Sequence, residues 1–212
     1  MSDPAPFHFL TTWRVQGTSG EVADVLRDLR DLPRWWPAVC LAAEELEGPG
    51  DRGLGQRVRV QCRAWLPRTL RCECRVIESR YPERVVLELR GDMTGQVTWA
   101  FAQDGAWVNV TSEWTLRTGA VEATLLDWAA GWAFERNYRW AMQQGEESLA
   151  VELLRRRAAG DPARRVPAPP GPVTYAAVGI LAGAAVVGGG IGLLVLRQRR
   201  RARRRREHVA DA

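Results

Sequence analysis

From residue 7 to residue 118 apolar and polar side chains alternate in short runs, the period of half-buried strands. Phe7-His8-Phe9-Leu10-Thr11-Thr12-Trp13-Arg14-Val15 opens the series as a strand. In 56–66, Val58, Val60, Cys62, Ala64 and Leu66 alternate with Arg57, Arg59, Gln61, Arg63 and Trp65. Leu70, Cys72, Cys74 and Val76 then share a face, as do Val85, Leu87 and Leu89. Trp99 and Phe101 follow, and then Val108, Val110, Trp114 and Leu116. With turns at Pro67, Pro82 and Gly105, the pattern predicts an antiparallel meander covered on one face.

Two stretches keep the helical period instead. Thr18 and Glu21 have capping-box spacing ahead of Val22, Val25, Leu26 and Leu29, which fall on one helical face. Pro33-Arg34-Trp35-Trp36-Pro37 reads as a short proline-bounded turn or helix. Residues 121–157 lack proline, are rich in helix formers, and predict one long helix. Leu125, Trp128 and Trp132 line its first half, and Tyr138, Met142, Gly145 and Leu149 continue at helical spacing. The expected fold class is therefore α+β, a curved antiparallel sheet wrapped around a long C-terminal helix.

After residue 159 the texture changes. Residues 160–172 hold five prolines and read as a semi-rigid linker. Residues 173–196 are 24 positions without a charge, a helix of about 36 Å against a hydrocarbon core of about 30 Å. A single membrane-spanning helix is expected there, with Tyr175 at the interface. Gly179 with Gly183 and Gly188 with Gly192 make small-xxx-small pairs, so the span can pair two copies, although glycine is abundant throughout this stretch. The expected organisation is a globular domain (1–159), linker (160–172), transmembrane helix (173–196) and Arg-rich tail (197–212).

Charge follows this division. The formal charge is +5, yet residues 1–172 hold 22 Arg against 23 acidic residues, and the tail alone carries eight arginines. All 30 basic residues are arginine, which we read as coding bias rather than a phosphate-binding signature, so no nucleic-acid partner is expected. Tail arginines favour a cytoplasmic tail, whereas an N-terminus without a visible signal peptide favours a cytoplasmic domain. The second is expected here, against a cost of about 2.3 kcal/mol per 100 mV for each arginine carried across. The tail then serves as a topogenic or anionic-lipid-contacting element.

Candidate chemistry is sparse. The two histidines are His8, on the face opposite Phe7 and Phe9, and His208 in the tail, so no histidine-based triad or metal set assembles. No phosphate-cradling glycine motif is present, and no cofactor is expected. Four cysteines lack zinc-ribbon spacing. If Pro67-Arg68-Thr69 is the turn, Cys62 lies opposite Cys74, as buried thiols or as a bridged or metal-holding pair.

The order of elements, the Leu32-Pro33-Arg34-Trp35-Trp36-Pro37 segment, the Gly91-Asp92-Met93-Thr94-Gly95 turn and the late Asn137-Tyr138-Arg139-Trp140-Ala141-Met142-Gln143-Gln144-Gly145-Glu146-Glu147 helix carry a resemblance. Over about residues 7–157 the chain resembles the polyketide cyclase/dehydrase and lipid-transport group of the START-like (SRPBCC) superfamily. The resemblance implies a helix-grip fold around an apolar cavity, and the membrane span departs from the superfamily's usual form. Trp128 and Trp132 on the helix, facing Trp99 and Trp114 on the sheet with Trp36 near the mouth, are the expected lining for a lipid or other hydrophobic small molecule. The same tryptophans are equally able to fill a core, which would leave an interaction module. Glu135 and Tyr138 are the candidate acid–base residues of a cyclase-type enzyme, and Glu135 also has Arg139 at i+4 as a partner.

Overall fold

The computed structural model describes residues 7–118, 127–159 and 165–173, with side chains for all of these except 118 and 127–131. All belong to the first of the two units into which the chain divides, Met1–Val173. Seven strands form one antiparallel sheet: β1 (Phe7–Gln16), β2 (Cys40–Glu47), β3 (Arg57–Cys62), β4 (Leu70–Arg80), β5 (Arg84–Gly91), β6 (Met93–Asp104) and β7 (Trp107–Thr118). Their spatial order is β1-β7-β6-β5-β4-β3-β2, a continuous meander closed by the first strand lying beside the last. Two short helices, α1 (Ser19–Leu26) and α2 (Leu32–Trp35), fill the crossover from β1 to β2. The long helix α3 (Asp127–Arg157) crosses the concave face. This is the α+β arrangement that the alternation predicts, in helix-grip form.

Local chemistry explains the elements. Thr18 and Glu21 make the reciprocal capping box, with the Thr18 side chain accepting from the Glu21 N–H. The predicted helical face is split: α1 ends at Leu26, and Leu29 opens a separate 3-10 turn whose N-cap, Asp28, accepts from the Arg30 N–H. Inward parity holds along the sheet, burying Val58 and Val60, Cys72 and Cys74, Leu87 and Leu89, Val97 and Trp99, and Val108 and Val110. Gly91 and Gly95 take positive φ, and a side chain on Gly95 would lie 2.0 Å from the Thr115 carbonyl oxygen. Only glycine lets β6 approach β7 so closely there.

Three expectations need correction. The strand expected over 56–66 stops at Cys62, and the next begins at Leu70, so the connection is the loop 63–69 rather than a three-residue turn. Cys62 therefore faces Leu70 on β4, and Cys74 faces Val58. The ladder stops because its next groups are taken elsewhere: the Arg63 N–H bonds the Val39 carbonyl, the Leu66 N–H bonds Asn137 Oδ1 of α3, and Pro67 has no N–H. The long helix is described from Asp127, so the earlier part of the predicted 121–157 helix lies outside the described residues.

Residues 165–173 carry neither helix nor strand. Among the described residues no helix is long and apolar enough to cross a membrane. The expected span 173–196, except Val173, and the tail lie outside the described residues, and so do the glycine pairs invoked for dimerisation.

Candidate functional site

Between the sheet and α3 lies an apolar cavity of about 130 Å³. Its walls come from four sources. The inward positions of β3 and β4 supply Val60, Cys62, Cys72 and Cys74, all small. β5 to β7 supply Leu87, Leu89, Trp99, Trp114 and Leu116. α3 covers it with Phe134, Tyr138, Ala141 and Met142, while Leu29, Leu32 and Trp36 close one end. Small residues facing large ones leave the space, since the thiol and valine side chains on β3 and β4 do not reach across to the indoles. Exposed Arg68 and half-buried Phe134 and Asn137 mark where the cavity meets solvent.

The aromatic wall is pinned by its polar atoms. Trp99 Nε1 donates to Ser112 Oγ at 2.9 Å, and Trp114 Nε1 donates to the same oxygen at 2.7 Å. Ser112 is fully buried, and it faces Trp99 across the ladder. One hydroxyl thereby satisfies two indoles, that of buried Trp99 and that of half-buried Trp114. The Tyr138 ring stacks on Phe9 at 4.3 Å, and its hydroxyl lies 3.0 Å from Thr11 Oγ1. Burial pushes the Tyr138 phenol up to about 12, with the Thr11 hydrogen bond pulling the other way. Tyr138 thus stays a neutral O–H, suited to donate a hydrogen bond and not to act as a base near neutral pH.

The tryptophans predicted to line the cavity divide. Trp99 and Trp114 do so. Trp36 also lines it, but not at the mouth: it is 3% exposed, stacked on Trp35 and edge-on to Trp13. Its place is at the closed end, where Gly145 of α3 passes so near that a Cβ would lie 2.8–2.9 Å from the Trp13 and Trp36 rings. Trp132 does not line the cavity; it is 56% exposed, with the Arg136 guanidinium over its ring. The Trp128 side chain lies outside the described residues. Glu135 is half-exposed, paired with Arg139, and outside the lining.

The face assignment fails for a geometric reason. Steps of three from Trp132 to Glu135 to Tyr138 turn the stripe by about 120° at 100° per residue. The predicted continuation Tyr138, Met142, Gly145 and Leu149 does pack inward, and Phe134 and Ala141, not Trp132 and Glu135, complete that face. Ser112 and Asn137, which organise the site, were not singled out from the sequence. Ser112 had a signal: a small polar residue at an inward position between Val110 and Trp114.

All four cysteines are free thiols on the cavity wall. The facing pair is Cys40 and Cys62, Cα partners on β2 and β3 with Sγ atoms 3.8 Å apart. The hydrogen bond with Cys62, then burial, raises the Cys40 thiol well above its usual value. Burial raises Cys72 to about 11 and also raises Cys74. Cys40, Cys72 and Cys74, buried and protonated, pack as small hydrophobes. Among the described residues no group of three or more His, Cys, Asp or Glu is placed to hold a metal ion. His8 lies on the outer face, with Nε2 2.9 Å from Glu113 Oε1.

Solved structures share this architecture. The Zhui aromatase/cyclase from Streptomyces sp. R1128 is similar at TM-score 0.61 and 16% identity, covering 74% of this chain and 98% of that one. A START superfamily protein from Mycobacterium smegmatis matches at TM-score 0.54 and 12% identity, over 70% of this chain and 97% of that one. A protein from Thermus thermophilus matches at TM-score 0.52 and 18% identity, over 73% and 99%. At these identities the likeness is one of fold. Among curated proteins none matches the sequence. Residues 6–153, however, match a family model, a stretch that spans every strand, both short helices and nearly all of α3. The chain belongs to the polyketide cyclase/dehydrase and lipid transport family.

Proposed function

We propose that this domain shelters a hydrophobic small molecule or lipid segment in the cavity beneath α3, and that residues 173–196 tether it to a membrane. The observation that carries the binding reading is the cavity itself, a wall of thiols, aliphatic side chains and indoles, two of them held by Ser112. Its size sets the form of the ligand. A dry apolar cavity of about 150 Å³ admits a benzene-sized guest, whereas ligand pockets commonly run to about 300–1,000 Å³. We therefore assign the enclosed space to one apolar end of the ligand, a ring or a short acyl segment. The remainder leaves past Phe134 and Arg68, whose guanidinium suits a polar or anionic end.

The tether reading rests on the 24 uncharged positions and on the proline-rich stretch before them, in which 165–173 form neither helix nor strand. Tethering raises the concentration of the domain beside a ligand that partitions into the bilayer.

A cyclase-type activity has one residue to rest on, Tyr138, the phenol on the cavity wall. Tyr138→Phe would leave ligand binding within about threefold and abolish turnover if the phenol transfers or donates the reacting proton.

Native mass spectrometry with lipid extraction, on residues 1–173, tests the binding reading. The expected result is a co-purifying hydrophobic molecule that is lost in Ala141→Phe, a substitution that fills the cavity, while the variant still unfolds cooperatively. A clean apo mass with no uptake of offered fatty acids or aromatic hydrocarbons would overturn it and leave a filled core with an interaction role.

A further inference from the structure

The loop 63–69 reads Arg-Ala-Trp-Leu-Pro-Arg-Thr: two arginines, a tryptophan, a leucine and no acid. It is fixed to the first half of α3, where the Leu66 N–H donates to Asn137 Oδ1 at 2.8 Å. The Arg136 guanidinium lies over two indoles, Trp65 at 5.9 Å and Trp132 at 5.6 Å. Arg68, exposed on the same loop, also belongs to the cavity lining. We infer that this rim is a docking surface for an anionic lipid bilayer, so that the cavity mouth opens against the membrane that holds the ligand.

Exposure and charge together select that occupant. Trp132, at 56% exposure, is the most exposed tryptophan among the described residues. An indole left in water beside a guanidinium gains by seating at the headgroup boundary, where the ring meets acyl chains and the cation meets phosphate. Among the described side chains of this half of α3 the acid is Glu135, and it is held by Arg139. The other exposed tryptophan supplies a control. Trp107 also carries an arginine, Arg14 at 5.5 Å, but Arg14 is paired with Asp104 at 2.9 Å. That pair is neutralised, whereas among the described residues Arg136, between its two indoles, has no acidic partner.

This inference rests on the proposed ligand cavity and tether for its purpose, and the experiment separates the three. The full-length chain is reconstituted in nanodiscs of phosphatidylcholine with and without phosphatidylglycerol, and hydrogen exchange is followed by mass spectrometry. Peptides covering 63–69 and 132–137 are expected to exchange at least about fivefold more slowly with the anionic lipid, an effect lost at high salt. Arg68→Gln with Arg136→Gln, and Trp132→Ser separately, are expected to remove that protection while the rest of the sheet exchanges as in the parent. Exchange that is equal in anionic lipid, neutral lipid and detergent would overturn docking. Protection of peptides from 174–196 in the same samples reports the tether, and native mass spectrometry reports the ligand. If the chain does not stay in the nanodisc, it is added to preformed anionic vesicles, and unchanged exchange at the rim there overturns docking as well.

Discussion

The two halves of α3 do opposite things. Its C-terminal half is clamped: Gly145 lies flat against Trp13 and Trp36, and Leu149 and Leu153 are buried. Glu152, at 2% exposure, takes hydrogen bonds from Arg34, Arg155 and Arg156. Arg157 closes the end by gripping Glu21 of α1 at 2.7 Å. The N-terminal half instead covers a cavity and exposes Trp132, and it is tied to the loop 63–69 by the bond from Leu66 to Asn137. Stability and access are thereby separated along one helix. The clamped half holds the fold, so that in the proposed binding reading the other half can admit a ligand without unfolding the domain.

The most severe test of this division is Gly145→Val. Its branched side chain would enter two indole rings that already lie within 2.9 Å of a bare Cβ, and neither ring is a flexible tip. We expect a loss of about 3 kcal/mol, a fall in Tm of about 10 °C by calorimetry. Glu152→Ala comes next. Removing a buried carboxylate takes a partner from three guanidiniums, but Arg34 and Arg156 keep Asp31, all three are a third to a half exposed, and water recovers part of the loss. About 2 kcal/mol is expected, read from urea unfolding. Both changes should lower global stability more than they alter ligand exchange.

Asn137→Ala tests the other half. It frees the Leu66 N–H at the half-buried rim, at a cost of about 1 kcal/mol. Amide exchange in 63–69 should accelerate while the sheet is unaffected. A global Tm drop as large as that of Glu152→Ala would mean that the two halves are not separable.

Much of this arrangement was legible in the sequence, and the misses have physical causes. Period-two alternation marked the strand faces because one side of the sheet is buried, and the capping box marked the start of α1 at Thr18. The β3–β4 register was not legible. Alternation continues through Ala64 and Leu66, and only bonds from elsewhere in the fold, that of Leu66 to α3 among them, end the ladder. On α3, Tyr138, Met142, Gly145 and Leu149 mark the inward face, but a stripe taken back from Tyr138 through Glu135 to Trp132 at three-residue steps drifts around the cylinder and leaves Trp132 outward. Trp36 was expected near the mouth, yet the space left by Gly145, distant in sequence, draws it to the closed end.

A pH titration probes the clamp more gently. The hydrogen bond from Arg157 holds the Glu21 carboxyl down from 4.5 to about 2, with help from Thr18 and against some burial. A depressed folded-state value means that Glu21 contributes stability fully above pH 4.5 and loses it as pH falls towards 2. Because the pair is largely solvated, the contribution is under about 1 kcal/mol. Glu21→Gln should flatten the acid limb of stability in that window and change little near neutrality.

The smallest expected effect is the most informative about chemistry. Glu135 sits half-exposed on the first half of α3, tied to Arg139 one turn on and absent from the cavity lining. Glu135→Gln should therefore change stability by less than about 0.5 kcal/mol. It should also leave uptake of a hydrophobic probe unchanged, because the carboxylate neither touches the enclosed space nor anchors the loop. Tyr138→Phe is the paired measurement, since its ring is in the lining and its hydroxyl bonds Thr11. If turnover exists and falls with Tyr138→Phe alone, the phenol is its proton donor. If it falls with Glu135→Gln while binding is retained, α3 must turn its first half inward when ligand is present. The separation of a fixed half from an admitting half would then extend from access to catalysis.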